Sequence, residues 1–233
     1  MNHYFIGGID TEVGKTIVTG LLGKWFREKG ANVGTMKIVE TGVDDGDLSA
    51  DIRTHRKIMG LEPLDVDRDG TTCPYRFRLP ASPHLSAKLE GREIEPDKIA
   101  AAANSLRKQF DVLLIEGVGG LMVPLTRDFS ALDFVRQIRP PVVLVTSGRL
   151  GSINHTLLSM EALAARKIPL AGLVYNHCCE TADEIRRDSL DLFRYRLKKG
   201  GRPGALVEVP RFDLDSPPDV DFAAFFQTTE YTE

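Results

Sequence analysis

The chain has 233 residues, 42% of them hydrophobic and 27% charged, with a formal net charge of −3. That is the composition of a soluble globular protein with a sizeable core, and a pI near 6.0 gives no global basic field to draw nucleic acid. Three cysteines, none in a C-x-x-C pair, exclude a disulfide framework; no apolar run approaches the ~20 residues that cross a bilayer, and no signal-peptide pattern opens the chain, so a cytoplasmic protein is expected.

The first element is the apolar strand His3–Gly7, which runs into Gly8-Ile9-Asp10-Thr11-Glu12-Val13-Gly14-Lys15-Thr16 and then into a helix predicted over Ile17–Lys29. Strand, glycine-rich turn and helix is the setting of a phosphate-binding loop. Free N–H groups of the turn and helix start hold phosphate oxygens, Lys15 supplies a point charge, and the Thr16 hydroxyl is placed for Mg²⁺. Five residues separate Gly8 from Gly14, where the usual loop has four. Asp10 and Glu12 would repel a polyphosphate, so they are better aimed at a metal shell or a cationic second substrate.

A second strand over Asn32–Val39 carries Lys37 inside an apolar run. Burying that ammonium is costly without an anionic partner, which points to phosphate or another anion close to Lys15. Thr41 and Gly42 begin a loop able to hold substrate. A helix is predicted over Ala50–Met59, with Asp51 in its first turn either as a dipole-favoured acid or as part of a metal site. Helices follow at Pro83–Leu89, with Ser82 as N-cap, and at Pro96–Gln109. The strand Val112–Glu116 ends in a carboxylate followed by Gly117-Val118-Gly119-Gly120, the arrangement that directs an acid at Mg²⁺ in phosphate-loop enzymes.

The strand Pro141–Ser147 leads to Gly151-Ser152-Ile153-Asn154-His155 at a helix predicted over Ile153–Lys167. That helix start either binds a carboxylate or is simply capped by Ser152. Asn176 ends the strand Leu170–Tyr175, where its amide can meet a nucleobase edge. A helix over Asp183–Lys198, a loop at Gly200–Gly204, a strand at Leu206–Val209 and an acidic tail from about residue 213 complete the chain. Alternating strands and helices predict an α/β fold, a mostly parallel sheet flanked by helices on both faces, of the P-loop NTPase type. No linker or repeat interrupts it, so residues 1–233 are expected to form one domain.

These motifs together resemble the dethiobiotin synthetase family, from about Tyr4 to Pro210. The resemblance rests on the long loop Gly8–Thr16, on Lys37-x-x-x-Thr41-Gly42, on Pro80-Ala-Ser-Pro-His84, on Glu116–Gly120, on Leu150-Gly-Ser-Ile-Asn-His155 and on Asn176. It implies ATP-dependent, Mg²⁺-dependent closure of 7,8-diaminopelargonate with CO₂ or bicarbonate into a cyclic urea, through a carbamate and a carbamic-phosphoric anhydride. By the same resemblance Lys15 and Lys37 are catalytic, and Thr16, Asp51 and Glu116 hold Mg²⁺. ATP is met by Glu12, Val13, Gly14, Lys15, Thr16, Ile17, Asp51, Glu116, Gly117, Val118, Gly119, Asn176, His177, Pro210, Arg211 and Phe212. Thr11, Glu12, Lys37, Thr41, Gly151, Ser152 and Asn154 meet the diamine substrate, the last three from the partner in a homodimer with a shared site.

The sequence departs from the family in carrying Thr41 for a commoner serine, Ile38 for a usual proline, and no tyrosine between Asp183 and Asp191. A rival class with a related sheet, the switch ATPases acting on DNA or membranes, would need a partner surface. The short basic run Arg194 to Arg202 is expected to be solvated, and Phe222, Phe225 and Phe226 lie among acids, which opposes an anionic lipid surface. Neither nucleic acid nor membrane is therefore expected as a partner.

Overall fold

In the computed structural model, which describes residues 2–43, 48–179, 182–202 and 204–226, the chain opens with β1 (Asn2–Gly8) and α1 (Lys15–Glu28) on either side of the glycine-rich turn. β2 (Val33–Lys37) follows and is buried along its whole length. The chain then makes an excursion through β3 (Glu40–Thr41), α2 (Ala50–Ile58), α3 (Asp65–Arg68) and β4 (Arg76–Phe77), whose strands pair parallel with each other. α4 (Pro83–Leu89) and α5 (Pro96–Arg107), each opened by a proline, lead back to β5 (Val112–Gly120). Next come α6 (Ala131–Ile138), β6 (Val142–Ser147), α7 (Ser152–Ala165), β7 (Leu170–Asn176), α8 (Asp183–Lys199) and β8 (Leu206–Val209).

The six long strands form one parallel sheet in the order β2-β5-β1-β6-β7-β8. Chain direction across the sheet reverses at β1, toward β2 on one side and toward β6, β7 and β8 on the other. α1 packs with α2, and α5 packs with α6. The expected α/β class with helices on both faces is therefore the observed one. Phe5, Ile6, Leu114, Ile115, Leu144, Val145, Leu173 and Val174 form the centre of the core.

Several boundaries differ from the sequence reading. α1 starts at Lys15 rather than Ile17, so the lysine and Thr16 lie in its first turn. β2 ends at Lys37, although the Ile38 N–H still donates to the Glu116 carbonyl at 3.1 Å; on the outer side of this edge strand the Lys37 N–H bonds the Thr72 carbonyl at 2.8 Å. α6 was unforeseen, although Ser130 and Asp133 cap it reciprocally (Asp133 N to Ser130 Oγ 3.2 Å, Ser130 N to Asp133 Oδ2 2.9 Å). Ser82 occupies the N-cap position of α4, yet its hydroxyl makes no capping bond.

The segment after β8 lies against the sheet and α1. Asp221 accepts from Trp25 Nε1 at 3.0 Å, Asp219 pairs with Lys24, and Phe222 and Phe225 are buried. A side chain on Gly172 would overlap the Phe225 ring, so that glycine is the seat for it. The end of the acidic tail, residues 227–233, lies outside the described residues, as do Asp47 and Pro203.

The excursion between β2 and β5 is held by a buried ion pair that the sequence did not suggest. Arg56 is 1% exposed and donates to both oxygens of Asp67, each at 2.8 Å. Burial alone would raise the Asp67 carboxyl, but Arg56 outweighs it and holds the group below its ordinary 3.8. Breaking one half of such a pair costs about 3–5 kcal/mol. Asp67→Asn is therefore expected to lower the unfolding free energy by that order in urea titrations at pH 7. The carboxylate is preferred in the fold, so this contribution is complete above roughly pH 4 and is lost as the pH falls through the lowered value. The gap between variant and parent should accordingly narrow in acid.

Candidate functional site

The phosphate loop leaves β1 at Gly8 and turns through left-handed backbone at Glu12 (φ 58°) and Gly14 (φ 89°). The first is unusual for a residue with a side chain and marks a constrained turn. Lys15 is buried, and its Nζ donates to the Asp10 carbonyl at 2.9 Å. Burial, reinforced by the Lys37 ammonium, lowers Lys15 to about 8. A lysine held down in this way gains strongly from any anion that arrives beside it.

The second strand end meets the loop at a network of four side chains. Lys37 on β2 and Glu116 on β5 are register partners in the parallel sheet. Lys37 Nζ lies 2.7 Å from Glu116 Oε1 and 2.7 Å from Asp51 Oδ2. The Thr16 hydroxyl lies 2.8 Å from Asp51 Oδ1 and 3.0 Å from Glu116 Oε1. Burial would lower Lys37, yet Glu116 and Asp51 hold it above the ordinary lysine range. Burial would likewise raise Glu116, but Lys37 and His55 hold it far below the usual carboxylate value. The anion that the burial argument demanded for Lys37 is therefore supplied by the chain itself.

Thr16, Asp51 and Glu116, expected as one metal set, are brought together within these distances. They offer a hydroxyl and two carboxylates, all hard oxygen donors. Among the described residues no cluster of three or more His, Cys, Asp or Glu side chains is arranged for a metal. A cation here would therefore complete its shell with phosphate oxygens and water, as Mg²⁺ characteristically does.

The remaining expected residues sit on elements at this end of the sheet or follow them in the chain. Ile17 continues the first turn of α1, while Gly117, Val118 and Gly119 carry β5 past the loop, with the Thr11 hydroxyl beside Gly119. Asn176 donates from Nδ2 to the Val13 carbonyl at 3.0 Å, so it buttresses the loop as well as ending β7. Next to it, His177 Nε2 lies 3.0 Å from Glu208. Pro210, Arg211 and Phe212 follow β8, and Thr41 sits on β3 opposite Phe77.

At the far rim, Gly151 is the N-cap of α7 in left-handed backbone (φ 91°), and Asn154 is exposed in the first turn. Ser152 does not cap that helix, against the capping alternative, because it is already helical and its hydroxyl lies 3.3 Å from Ser147 Oγ. The rim is tied to the loop through Asp10, which pairs with Arg149 and lies 3.8 Å from His155 Nδ1. Asp10 is thus directed at Arg149 of its own chain rather than at a metal shell.

Sequence reasoning missed His55, Glu40, Thr35 and Arg149. His55 Nε2 lies 2.7 Å from Glu116 Oε2, and Glu40 Oε1 accepts the Asp51 N–H at 3.0 Å. The signal for His55 was its position four residues after Asp51, which puts both on one helix face. Glu40 had no such signal, since its role depends on where α2 begins. Burial raises the Glu40 carboxyl.

A family model described as an AAA domain matches residues 2–199. The chain is 48% identical over 211 residues to the ATP-dependent dethiobiotin synthetase BioD of Chlorobaculum tepidum, covering 91% of this chain and 86% of that protein. It is 45% identical over 206 residues to the ATP-dependent dethiobiotin synthetase BioD 2 of Pasteurella multocida, covering 88% and 95%. Among solved structures, the MinC:MinD cell division protein complex of Aquifex aeolicus matches with a TM-score of 0.54 at 12% identity, over 91% of this chain and 82% of that one. That last likeness is one of fold alone, the P-loop nucleoside-triphosphatase sheet.

The packing of Asn176 on the loop gives a direct prediction. A Cβ at Gly14 would lie 1.9 Å from Asn176 Nδ2, at a φ that costs an L residue about 1–2 kcal/mol. Gly14→Ala is expected to lower stability by at least that order and to abolish binding of a fluorescent ATP analogue at concentrations that saturate the parent.

Proposed function

The chain belongs to the dethiobiotin synthetase family, and from that premise we propose that the strand-end network is where 7,8-diaminopelargonate and CO₂ are joined into a cyclic urea at the expense of ATP. The protein is an ATP-dependent cyclo-ligase of biotin biosynthesis, with ATP as co-substrate. The observation that carries the finer reading is the Lys37–Asp51–Glu116–Thr16 network set directly against the phosphate-loop lysine.

In this reading the diamine is carboxylated on one nitrogen, the carbamate takes the γ-phosphoryl of ATP, and the second nitrogen closes the ring with release of phosphate. Phosphoryl transfer asks a protein mainly to position groups and to neutralise charge. Lys15 gains its full charge as polyphosphate arrives, and Lys37 remains cationic beside the transferring group because its carboxylate partners stabilise its ammonium. Thr16, Asp51 and Glu116 would hold Mg²⁺, which when bound screens the phosphate charges. Glu12, Thr11 and Thr41 orient the diamine, so that both nitrogens face one activated carbonyl and ring closure becomes intramolecular. Val13, Gly14, Ile17, Gly117, Val118 and Gly119 line the phosphates. Asn176, His177, Pro210, Arg211 and Phe212 flank the base.

A homodimer with a shared site is part of the same reading, with Gly151, Ser152 and Asn154 receiving the partner's substrate carboxylate. Its support is the exposed apolar rim beside that helix start, where Leu150 is 95%, Leu158 60% and Met122 58% exposed. A DNA-partner reading has less support, since Arg194 pairs with Glu208 and Asp191, Arg196 with Glu161, and Arg202 with the Leu170 carbonyl. No helix among the described residues is long and apolar enough to cross a membrane. In this reading the reaction takes place in the cytoplasm and residues 1–233 act as one domain.

The test is ADP release with ATP, Mg²⁺ and bicarbonate, with and without the diamine, and mass spectrometry of the product. Diamine-dependent release with the cyclic urea is expected, and Lys37→Gln should slow it roughly 100- to 1,000-fold. ADP release indifferent to the diamine would sink the proposal.

A further inference from the structure

Behind Glu116 stands a line of buried polar side chains that no step above uses. Glu116 Oε1 faces Lys37 and Thr16, whereas Oε2 turns inward to His55 Nε2 at 2.7 Å. His55 Nδ1 lies 3.1 Å from Thr35 Oγ1, and that oxygen receives Arg56 Nη1 at 3.0 Å. Arg56 is gripped by Asp67, which also accepts from Thr72 Oγ1 at 2.9 Å and from the Leu64 N–H at 2.8 Å. Glu116, His55 and Thr35 are fully buried, so water cannot substitute for any of these partners.

The donors and acceptors have one consistent assignment. Arg56 can only donate, so Thr35 Oγ1 accepts from it and keeps its hydroxyl proton for another acceptor. Glu116 pairs with the Lys37 ammonium as a carboxylate and can only accept, so the 2.7 Å contact to Oε2 is made by an N–H on His55 Nε2. His55 Nδ1 is then the lone-pair nitrogen, and it takes the Thr35 proton. A second N–H at Nδ1 would leave two donors on one hydroxyl oxygen and, among the described residues, no acceptor for the hydroxyl proton.

We propose that His55, protonated on Nε2 and held in that tautomer by Thr35, is a positioning residue that fixes the Glu116 carboxylate relative to Asp51. This rests on the roles given to those two acids above. The geometry explains why such a strut is useful. Glu116 is followed on β5 by Gly117, Gly119 and Gly120, which offer no side chains to brace it. Asp51 and His55 lie one turn apart on α2, so tying Oε2 to His55 makes one rigid helix set the distance between the acids.

The experiment compares His55→Leu with His55→Gln, whose amide can carry a donor to nearly the place of Nε2. His55→Leu should lower kcat/KM for ATP about 10- to 100-fold in diamine-dependent ADP release, with the diamine KM unchanged. His55→Gln should recover most of that loss. In the parent without ligands, long-range ¹H–¹⁵N spectra should show His55 protonated at Nε2 and bare at Nδ1, and Thr35→Val should produce a mixture of tautomers. Parental kinetics in a folded His55→Leu, no advantage of Gln over Leu, or a proton on Nδ1 in the parent would each overturn the proposal. If the Leu variant does not fold, the Gln variant and the parent's spectrum still decide. A parent without diamine-dependent turnover would instead refute the proposed function, and the tautomer spectrum would judge the strut by itself.

Discussion

Lys37 and Glu116 face each other across two parallel strands with almost no access to water, so each ionised group must be satisfied by protein. Ion pairs in such places are costly to assemble, because desolvation offsets much of the attraction between the charges. The remaining valences of both groups therefore recruit neighbours: Asp51 on the lysine, Thr16 on one glutamate oxygen, His55 on the other. Three separate elements, α1, α2 and the β2–β5 pair, are located by the needs of this one pair. The result is a cluster of charges already oriented before any ligand arrives, which is the condition for electrostatic catalysis without reorganisation.

The excursion between β2 and β5 gains its meaning from that requirement. Ser49 caps α2 by accepting the Ile52 N–H at 3.1 Å, and Glu40 accepts the Asp51 N–H, so the start of the helix is held at two points. Its far side is locked by Arg56 on Asp67. A buried polar network that is fully paired is rigid and specifies one arrangement, whereas a partly paired one is a liability. Energetics and site geometry are thus the same question in this segment: what keeps α2 in place also keeps Asp51 in place.

The phosphate loop is held from several directions at once. Val13 is gripped by Asn176 at the end of β7, Lys15 folds back to the Asp10 carbonyl, and the Asp10 side chain reaches Arg149 before α7. Strands that lie side by side in the sheet but far apart in sequence meet at their carboxyl ends, where an open α/β sheet gathers its ligands. The link through Asp10 also couples the loop to the exposed rim around Leu150, so the proposed shared site and the nucleotide loop are mechanically adjacent.

Local features were legible in the sequence because their causes are local. The strand–turn–helix around Gly14-Lys15-Thr16, the continuous apolar strands and the carboxylate closing β5 each rest on spacing and residue type within a few positions. These were enough for the α/β class, the nucleotide loop and the placing of Lys37 and Glu116 at strand ends, whereas Asp51 joined them only through the family resemblance. What the sequence could not decide was which buried charge meets which. Arg56 and Asp67 look like ordinary surface residues of two helical segments, and Glu40 looks like an edge residue, until tertiary packing removes water from them. Ser152 shows the same limit, since only the observed start of α7 places its hydroxyl on Ser147 rather than on the helix's free N–H groups. Periodicity fixes which face of an element is apolar; the pairing of polar groups between elements is settled by desolvation, which exists only once the chain has closed around them.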